Sequence, residues 1–165
     1  MLQQSGFGGG CHWCTEAVFQ VLRGVEKVDQ GFIASEPPYQ SFSEAALVTY
    51  NPDVITLSEL IEVHLATHSS TSNHKMRVKY RSAVYLHTNA EIAEAREIID
   101  SAMKKTDLTF VTQVLRFKAF KPSDDRYHDY YGKNRGKPFC ESSIEPKLTV
   151  LRERFSDLLA VRHSK

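Results

Sequence analysis

Up to residue 87 the chain alternates between two kinds of apolar periodicity, and their order restricts the folds open to it. Residues 2–7 form a short strand candidate. Trp13, Ala17 and Val21 share one helical stripe, with Val18 and Leu22 beside it, and Gly24 stands where a helix C-terminus prefers glycine. Val25 to Ile33 reads as a strand, interrupted by Ser35-Glu36-Pro37-Pro38. Ala45 to Tyr50 reads as another, closed by Asn51-Pro52. Thr56-Leu57-Ser58-Glu59 is a capping box, and the helix it opens carries Leu57, Leu60, Ile61, His64 and Leu65 on one face. A strand from Ser82 to His87 follows. This is the split βαββαβ order, so the expected fold is α+β, an α/β sandwich with a ferredoxin-like βαββαβ core.

The remainder reads as a C-terminal extension of that core. Thr88-Asn89-Ala90-Glu91 is a second capping box, backed by a stripe of Ile92, Ala95, Ile99 and Met103. Phe110 to Phe117 is expected as a strand, and Lys118 to Phe139 as irregular structure. Glu145-Pro146 starts a last helix with Leu148, Leu151, Phe155 and Leu158 facing inward. With 165 residues and no repeat or linker, one domain spanning residues 1–165 is expected. The formal net charge of +1 asks for neither nucleic acid nor an anionic membrane. No apolar run approaches the roughly 18–20 residues that span a bilayer, and the N-terminus lacks the features of a signal peptide. Three cysteines at irregular spacing are no secreted disulfide framework, so a reducing cytoplasmic setting is expected.

Chemistry concentrates in Gly8-Gly9-Gly10-Cys11-His12-Trp13-Cys14-Thr15-Glu16. Glycines deliver Cys11 to the start of the first helix, where free N–H groups and the helix dipole favour a thiolate. Cys11-His12-Trp13-Cys14 is formally C-x-x-C, which leaves three readings open: a redox dithiol, a zinc site drawing on Cys11, Cys14, Cys140 and a histidine, or two packed thiols. Elsewhere Glu44, at the entrance of a strand, is a candidate general acid. Tyr80 is a candidate hydrogen-bond donor at the strand edge. Asp124 to Tyr131 gathers acids, a histidine and three tyrosines, read as a short helix docking aromatics on the sheet. Cys140 is either a mobile partner thiol or a buried one.

Together these residues resemble the peptide methionine sulfoxide reductase A family, whose usual motif is G-C-F-W. The likeness runs from Gly10-Cys11-His12-Trp13 through Glu44-Ala45, Tyr50-Asn51-Pro52 and Tyr80-Arg81-Ser82-Ala83. It continues to Tyr127-His128-Asp129-Tyr130-Tyr131, Pro138-Phe139-Cys140 and Glu145-Pro146-Lys147-Leu148. The resemblance implies thiol-dependent reduction of methionine-S-sulfoxide, free or peptide-bound. It implies Cys11 as nucleophile, Glu44 as acid, and Tyr80 and Tyr39 as phenols that hydrogen-bond the substrate oxygen. Trp13 would wall the pocket for the substrate methyl group, with His12 in place of the family's Phe. A Cys11 sulfenic acid would be condensed by Cys140, with Cys14 an alternative resolving thiol. Thioredoxin or another dithiol would then restore the enzyme. No bound cofactor and no metal are implied, and a monomer without nucleic-acid or membrane partners is expected.

The chain also departs from that pattern. The segment from Gly31 to Glu44 is shorter than usual, Ser41-Phe42 replaces a glycine-histidine pair, and Lys75 and Lys79 occupy a shortened loop before Tyr80. These departures motivate a rival expectation, a weak or inactive relative acting as a redox sensor or binding protein.

Overall fold

A computed structural model describes residues 1–72 and 79–160. The strands are β1 (Gln3–Gly8), β2 (Val25–Ala34), β3 (Ser43–Tyr50), β4 (Ala83–Leu86), β5 (Gln113–Arg116) and β6 (Ala119–Pro122). The helices are α1 (His12–Gln20), α2 (Leu57–Thr67), α3 (Asn89–Thr106), α4 (Tyr130–Asn134) and α5 (Glu145–Arg154). The sheet order is β5-β4-β1-β3-β2-β6. Its four central strands, β4-β1-β3-β2, are antiparallel neighbours and supply the expected ferredoxin-like core.

Both capping boxes form. Thr56 Oγ1 accepts from the Glu59 N–H at 3.1 Å while Glu59 Oε1 accepts from the Thr56 N–H at 3.0 Å. Thr88 and Glu91 repeat the exchange at 3.2 and 3.1 Å. Gly24 follows α1 with φ +91°, a left-handed conformation that a residue with a Cβ adopts at a cost.

The main core gathers the inward faces of α1, α2, α3 and α5 against residues of β1, β3 and β4. Phe7 stacks on Phe19 with ring centroids 4.6 Å apart, and Leu60, Ile61, Val84 and Leu151 are fully enclosed around them. Burial of this apolar surface is the main term holding the helices to the sheet. A smaller cluster of Ile33, Ala45, Ala83 and Tyr85 packs with Leu115, Phe117 and Phe120.

Three expectations need correction. The segment from Lys118 to Phe139 is not wholly irregular: β6 pairs antiparallel with Gly31–Ala34 of β2 and extends the sheet. Its four residues are half-buried or exposed, so they carry no alternating pattern to read. The strand expected over Phe110–Phe117 is confined to Gln113–Arg116, parallel to β4. The last helix ends at Arg154, and Leu158 lies in a following 3₁₀ turn. Lys75 and the tail Arg162–Lys165 lie outside the described residues. Among the described residues no helix is long and apolar enough to cross a membrane.

Candidate active site

The site forms where β1 ends and α1 begins. Cys11 is the N-cap of α1, with φ −61° and ψ 130° and no side-chain cap, and its carbonyl accepts the first helical hydrogen bond from the Cys14 N–H at 3.0 Å. The half-buried Cys11 thiol is held below its ordinary value, first by a hydrogen bond from the Cys14 thiol. The Trp13 and Cys14 N–H groups at the helix start add to this, while burial and the Glu44 carboxylate oppose it. Cys14 is shifted the opposite way: it donates to Cys11, and burial and the Cys11 charge keep its proton on.

Behind the pair, Lys147 of α5 donates from Nζ to the Thr67 carbonyl. Burial pushes this ammonium down, against the pull of Cys14 and Cys11. A cavity of about 30 Å³ lies between Lys147, Cys11, Cys14, Thr15 and Val18. The glycine run is braced by His64 of α2 and by His68, which follows that helix. His64 Nε2 donates to the Gly8 carbonyl at 2.8 Å, and the His68 ring stacks on His64 at 4.1 Å. His68 Nε2 in turn meets Ser82 Oγ at 2.7 Å.

Glu44, the second residue of β3, is 8% exposed. Its Oε1 accepts from the His12 N–H at 3.1 Å, which brings the carboxylate to the residue next to Cys11. Its Oε2 lies 3.8 Å from the ammonium of Lys79. Ser43 ties the neighbouring loop to this strand, since its Oγ donates to the Lys79 carbonyl at 2.9 Å and accepts from the Arg81 N–H at 2.7 Å. Tyr80 is thereby held at the same edge. Its hydroxyl accepts from Lys79, whose Nζ lies 5.1 Å from the ring centroid.

The other expected residues fall in different places. Trp13 stacks on Tyr130 with centroids 4.0 Å apart and 10° between planes, and meets Tyr127 and Phe139 at 5.4 Å. His12, expected in the pocket, has a buried ring whose Nδ1 meets the Gly31 carbonyl at 2.7 Å. Tyr39 sits under the Arg81 guanidinium at 5.5 Å. Cys140 is fully buried in a π-helical turn, Cys140–Ile144, that runs into α5, and burial raises its thiol. Cys140 and Cys11 both act to raise the Cys14 thiol.

Glu16 and Gln30 complete the site, although no sequence pattern gives either a role. Glu16 is 2% exposed and accepts from the N–H groups of Asp129 and Tyr130 at 2.8 and 3.2 Å and from Gln30 Nε2 at 2.9 Å. Gln30 also donates to the Tyr127 carbonyl at 2.9 Å. Together they pin Tyr127 and Tyr130 over Trp13. Burial raises the Glu16 carboxyl, and its three donors pull the other way. The available signal was a charged residue on the buried stripe of α1, which needs partners to be stable there.

A thiolate at a helix terminus, a protonated thiol touching it and an enclosed carboxylate define the chain as an oxidoreductase of the thiol-dependent kind. Among the described residues no three His, Cys, Asp or Glu side chains converge as a metal would require. The family model described as "Peptide methionine sulfoxide reductase" matches residues 3–159, and the chain belongs to that family. It is 35% identical to the peptide methionine sulfoxide reductase MsrA of Acinetobacter baumannii over 172 residues, covering 96% of this chain and 99% of that one. The MsrA of Sulfolobus acidocaldarius is 30% identical over 175 residues, covering 98% and 99%. Among solved structures, Mxr1 from Saccharomyces cerevisiae in complex with Trx2 is 25% identical with a TM-score of 0.61, covering 78% of this chain and 84% of that one.

Proposed function

We propose that this chain is a peptide-methionine (S)-S-oxide reductase in which Cys11 attacks the sulfoxide sulfur and Glu44 protonates its oxygen. The observation that carries the reading is the Cys11 sulfur, depressed by Cys14 and the helix N–H groups and standing beside an enclosed carboxylate. A sulfoxide oxygen leaves only when protonated. The Cys11 thiolate, the sulfoxide and one proton therefore give Cys11 sulfenic acid and methionine. A second thiol condenses with the sulfenic acid to a disulfide and water. The hydrogen bond from Cys14 to Cys11 supports Cys14 in that role, and the family motif supports Cys140. Tyr80 would hydrogen-bond the sulfoxide oxygen, and Trp13 on its aromatic stack would wall the methyl group. A thioredoxin is the natural reductant for such a disulfide, and the yeast relative is known in complex with Trx2.

Reduction of stereopure methionine-S-sulfoxide with dithiothreitol tests the assignment. Wild-type enzyme is expected to turn over the S and not the R epimer, and Cys11→Ser to abolish activity. Wild-type rates in Cys11→Ser would sink it. One observation favours the sensor reading instead: Lys79 pairs with Glu44 at 3.8 Å, an ion pair that delivery of a proton to a substrate would have to open. Undetectable turnover with peroxide oxidation of Cys11 intact would select that reading.

A further inference from the structure

Where the resembled motif has Phe, this chain has the imidazole of His12, and its surroundings are those of a proton carrier. The ring is 6% exposed. Its Nδ1 lies 2.7 Å from the Gly31 carbonyl oxygen of β2. A carbonyl only accepts, so Nδ1 carries its hydrogen, and Nε2 is the nitrogen at which protons come and go. Nε2 faces Glu44 Oε1 at 3.6 Å, and the His12 main-chain N–H donates to the same oxygen at 3.1 Å. Phe32 closes the ring edge-on at 5.1 Å. Tautomer and orientation are thus set by β2, leaving Nε2 aimed at the carboxylate.

We propose that His12 and Glu44 hold one proton between them and that this proton is the one delivered to the sulfoxide oxygen, with His12 acting as a positioning residue behind Glu44. The proposal rests on the reading of Glu44 as the acid. The proton sits on His12 Nε2 with Glu44 ionised, or on Glu44 Oε1 with His12 neutral. The two forms have equal charge and differ by one transfer between atoms that face each other at 3.6 Å. In the reaction Cys11 attacks the substrate sulfur, and as that adduct collapses the S–O bond of the sulfoxide breaks and its oxygen is left bonded to the Cys11 sulfur. The proton ends on the oxygen as sulfenic acid, and the substrate sulfur keeps an electron pair as the thioether. Neutral His12 and ionised Glu44 remain, one proton short, and refill from water between turnovers.

Few charges face the pair. Lys79 stands 3.8 Å from the other oxygen of Glu44, and the Cys11 sulfur adjoins it from the helix. On the β2 side, β6 brings the Phe120 ring and the main chain of Lys121 against Gly31. Lys79 pairs with the anion, so a proton stored on His12 supplies an acid beside a carboxylate that is otherwise ion-paired.

Single-turnover reduction of methionine-S-sulfoxide by pre-reduced enzyme, followed across pH, tests this. The variants are Glu44→Gln, His12→Phe, which keeps a ring on Phe32, and His12→Asn, which keeps a donor for Gly31. Glu44→Gln is expected to slow the step about 100-fold at every pH. Both His12 variants are expected to approach the wild-type rate at the acid end and to lose it earlier on the alkaline side. Nitrogen-15 NMR of the wild-type protein needs no variant: the His12 Nε2 resonance is expected to titrate with the midpoint of that alkaline limb while Nδ1 stays protonated. An unmoved limb in both His12 variants, or a rate lowered equally at all pH, overturns the proposal, as does an Nε2 titration unrelated to the limb. If Glu44→Gln reacts at the wild-type rate, the acid assignment itself falls. If it is slow while the His12 limb is unmoved, only the shared proton falls.

Discussion

The Cys14 thiol donates a hydrogen bond to the Cys11 sulfur one helical turn away, and this contact divides the labour between two otherwise similar cysteines. Cys11, at the N-cap, also receives N–H groups of the first turn and holds charge. Cys14, inside the turn and buried, keeps its proton. A sulfenic acid formed on Cys11 therefore arises against a neutral thiol already in hydrogen-bond contact with it, and reaction order follows from helix position.

Cys14→Ala should move the Cys11 titration upward. The Cys14 hydrogen bond is the largest of the influences that lower Cys11, while burial and Glu44 raise it. Without that donor the thiolate fraction at neutral pH falls, and alkylation by iodoacetamide follows the thiolate. The midpoint of the alkylation rate against pH is expected to rise in Cys14→Ala to that of an unfolded control or above, because burial and Glu44 then outweigh the helix N–H groups. An unchanged or lower midpoint would mean that Cys14 does not stabilise the Cys11 thiolate.

The identity of the resolving thiol is open to direct mapping. Family position favours Cys140, whereas contact favours Cys14, and Cys140 is fully buried with its proton retained by burial. After one turnover without reductant, the dominant link found by peptide mass mapping is expected to join Cys11 and Cys14. Cys14→Ser is expected either to divert the link to Cys140 or to leave a sulfenic acid that dimedone traps. A dominant Cys11–Cys140 link in the wild-type protein would assign the role to Cys140.

The three glycines before Cys11 have separate duties. A Cβ on Gly8 would come within 3.0 Å of the carbonyl oxygens of Arg81 and Glu44, and one on Gly9 within 2.4 Å of the His68 ring. One on Gly10 would meet nothing within 4 Å. Gly9→Ala is expected to displace His68 from Ser82 and cost about 1–3 kcal/mol, read as a lower urea midpoint. Gly10→Ala is expected to stay within about 0.5 kcal/mol of wild type. Equal losses in the two variants would contradict this division.

These glycines also show where sequence reading ran out. That Cys11 lies at a helix start could be read locally, from the glycines and the apolar stripe behind them, and so could both capping boxes, because each depends on residues within one turn. That Gly9 makes room for His68, 59 positions on, is a property of packing between β1 and α2 and leaves no local trace. The same holds for Glu16, whose partners Asp129 and Tyr130 lie more than a hundred residues away. Glu44 was legible as a carboxylate at a strand entrance and again in the family motif, but its bond to the His12 main chain comes from the placing of β3 beside the end of β1. The edge strand β6 was missed because a short, half-exposed strand has no periodicity to display.

Acid is expected to weaken the fold through His64. This ring is enclosed on all sides, donates to the Gly8 carbonyl and stacks on His68. Burial, and then the charge of His68, hold it well below its ordinary value of 6.5. In the unfolded chain it takes up a proton near that value, whereas in the folded protein it stays neutral to much lower pH. Between the two values the unfolded state binds more protons, so stability rises with pH. The contribution is complete above about pH 6.5 and is lost as pH falls below it, by at most about 1.4 kcal/mol per pH unit. Urea unfolding at pH 7.5 and 5.5 should therefore show the wild-type protein losing about 1 kcal/mol more than His64→Gln, which has no proton to gain. Parallel losses in the two proteins would remove His64 as the source. Since the same ring holds the carbonyl of Gly8, the residue that ends β1, acid unfolding should begin at the strand that delivers Cys11. Hydrogen exchange in residues 6–10 is then expected to rise before that of α3 as pH is lowered through this range.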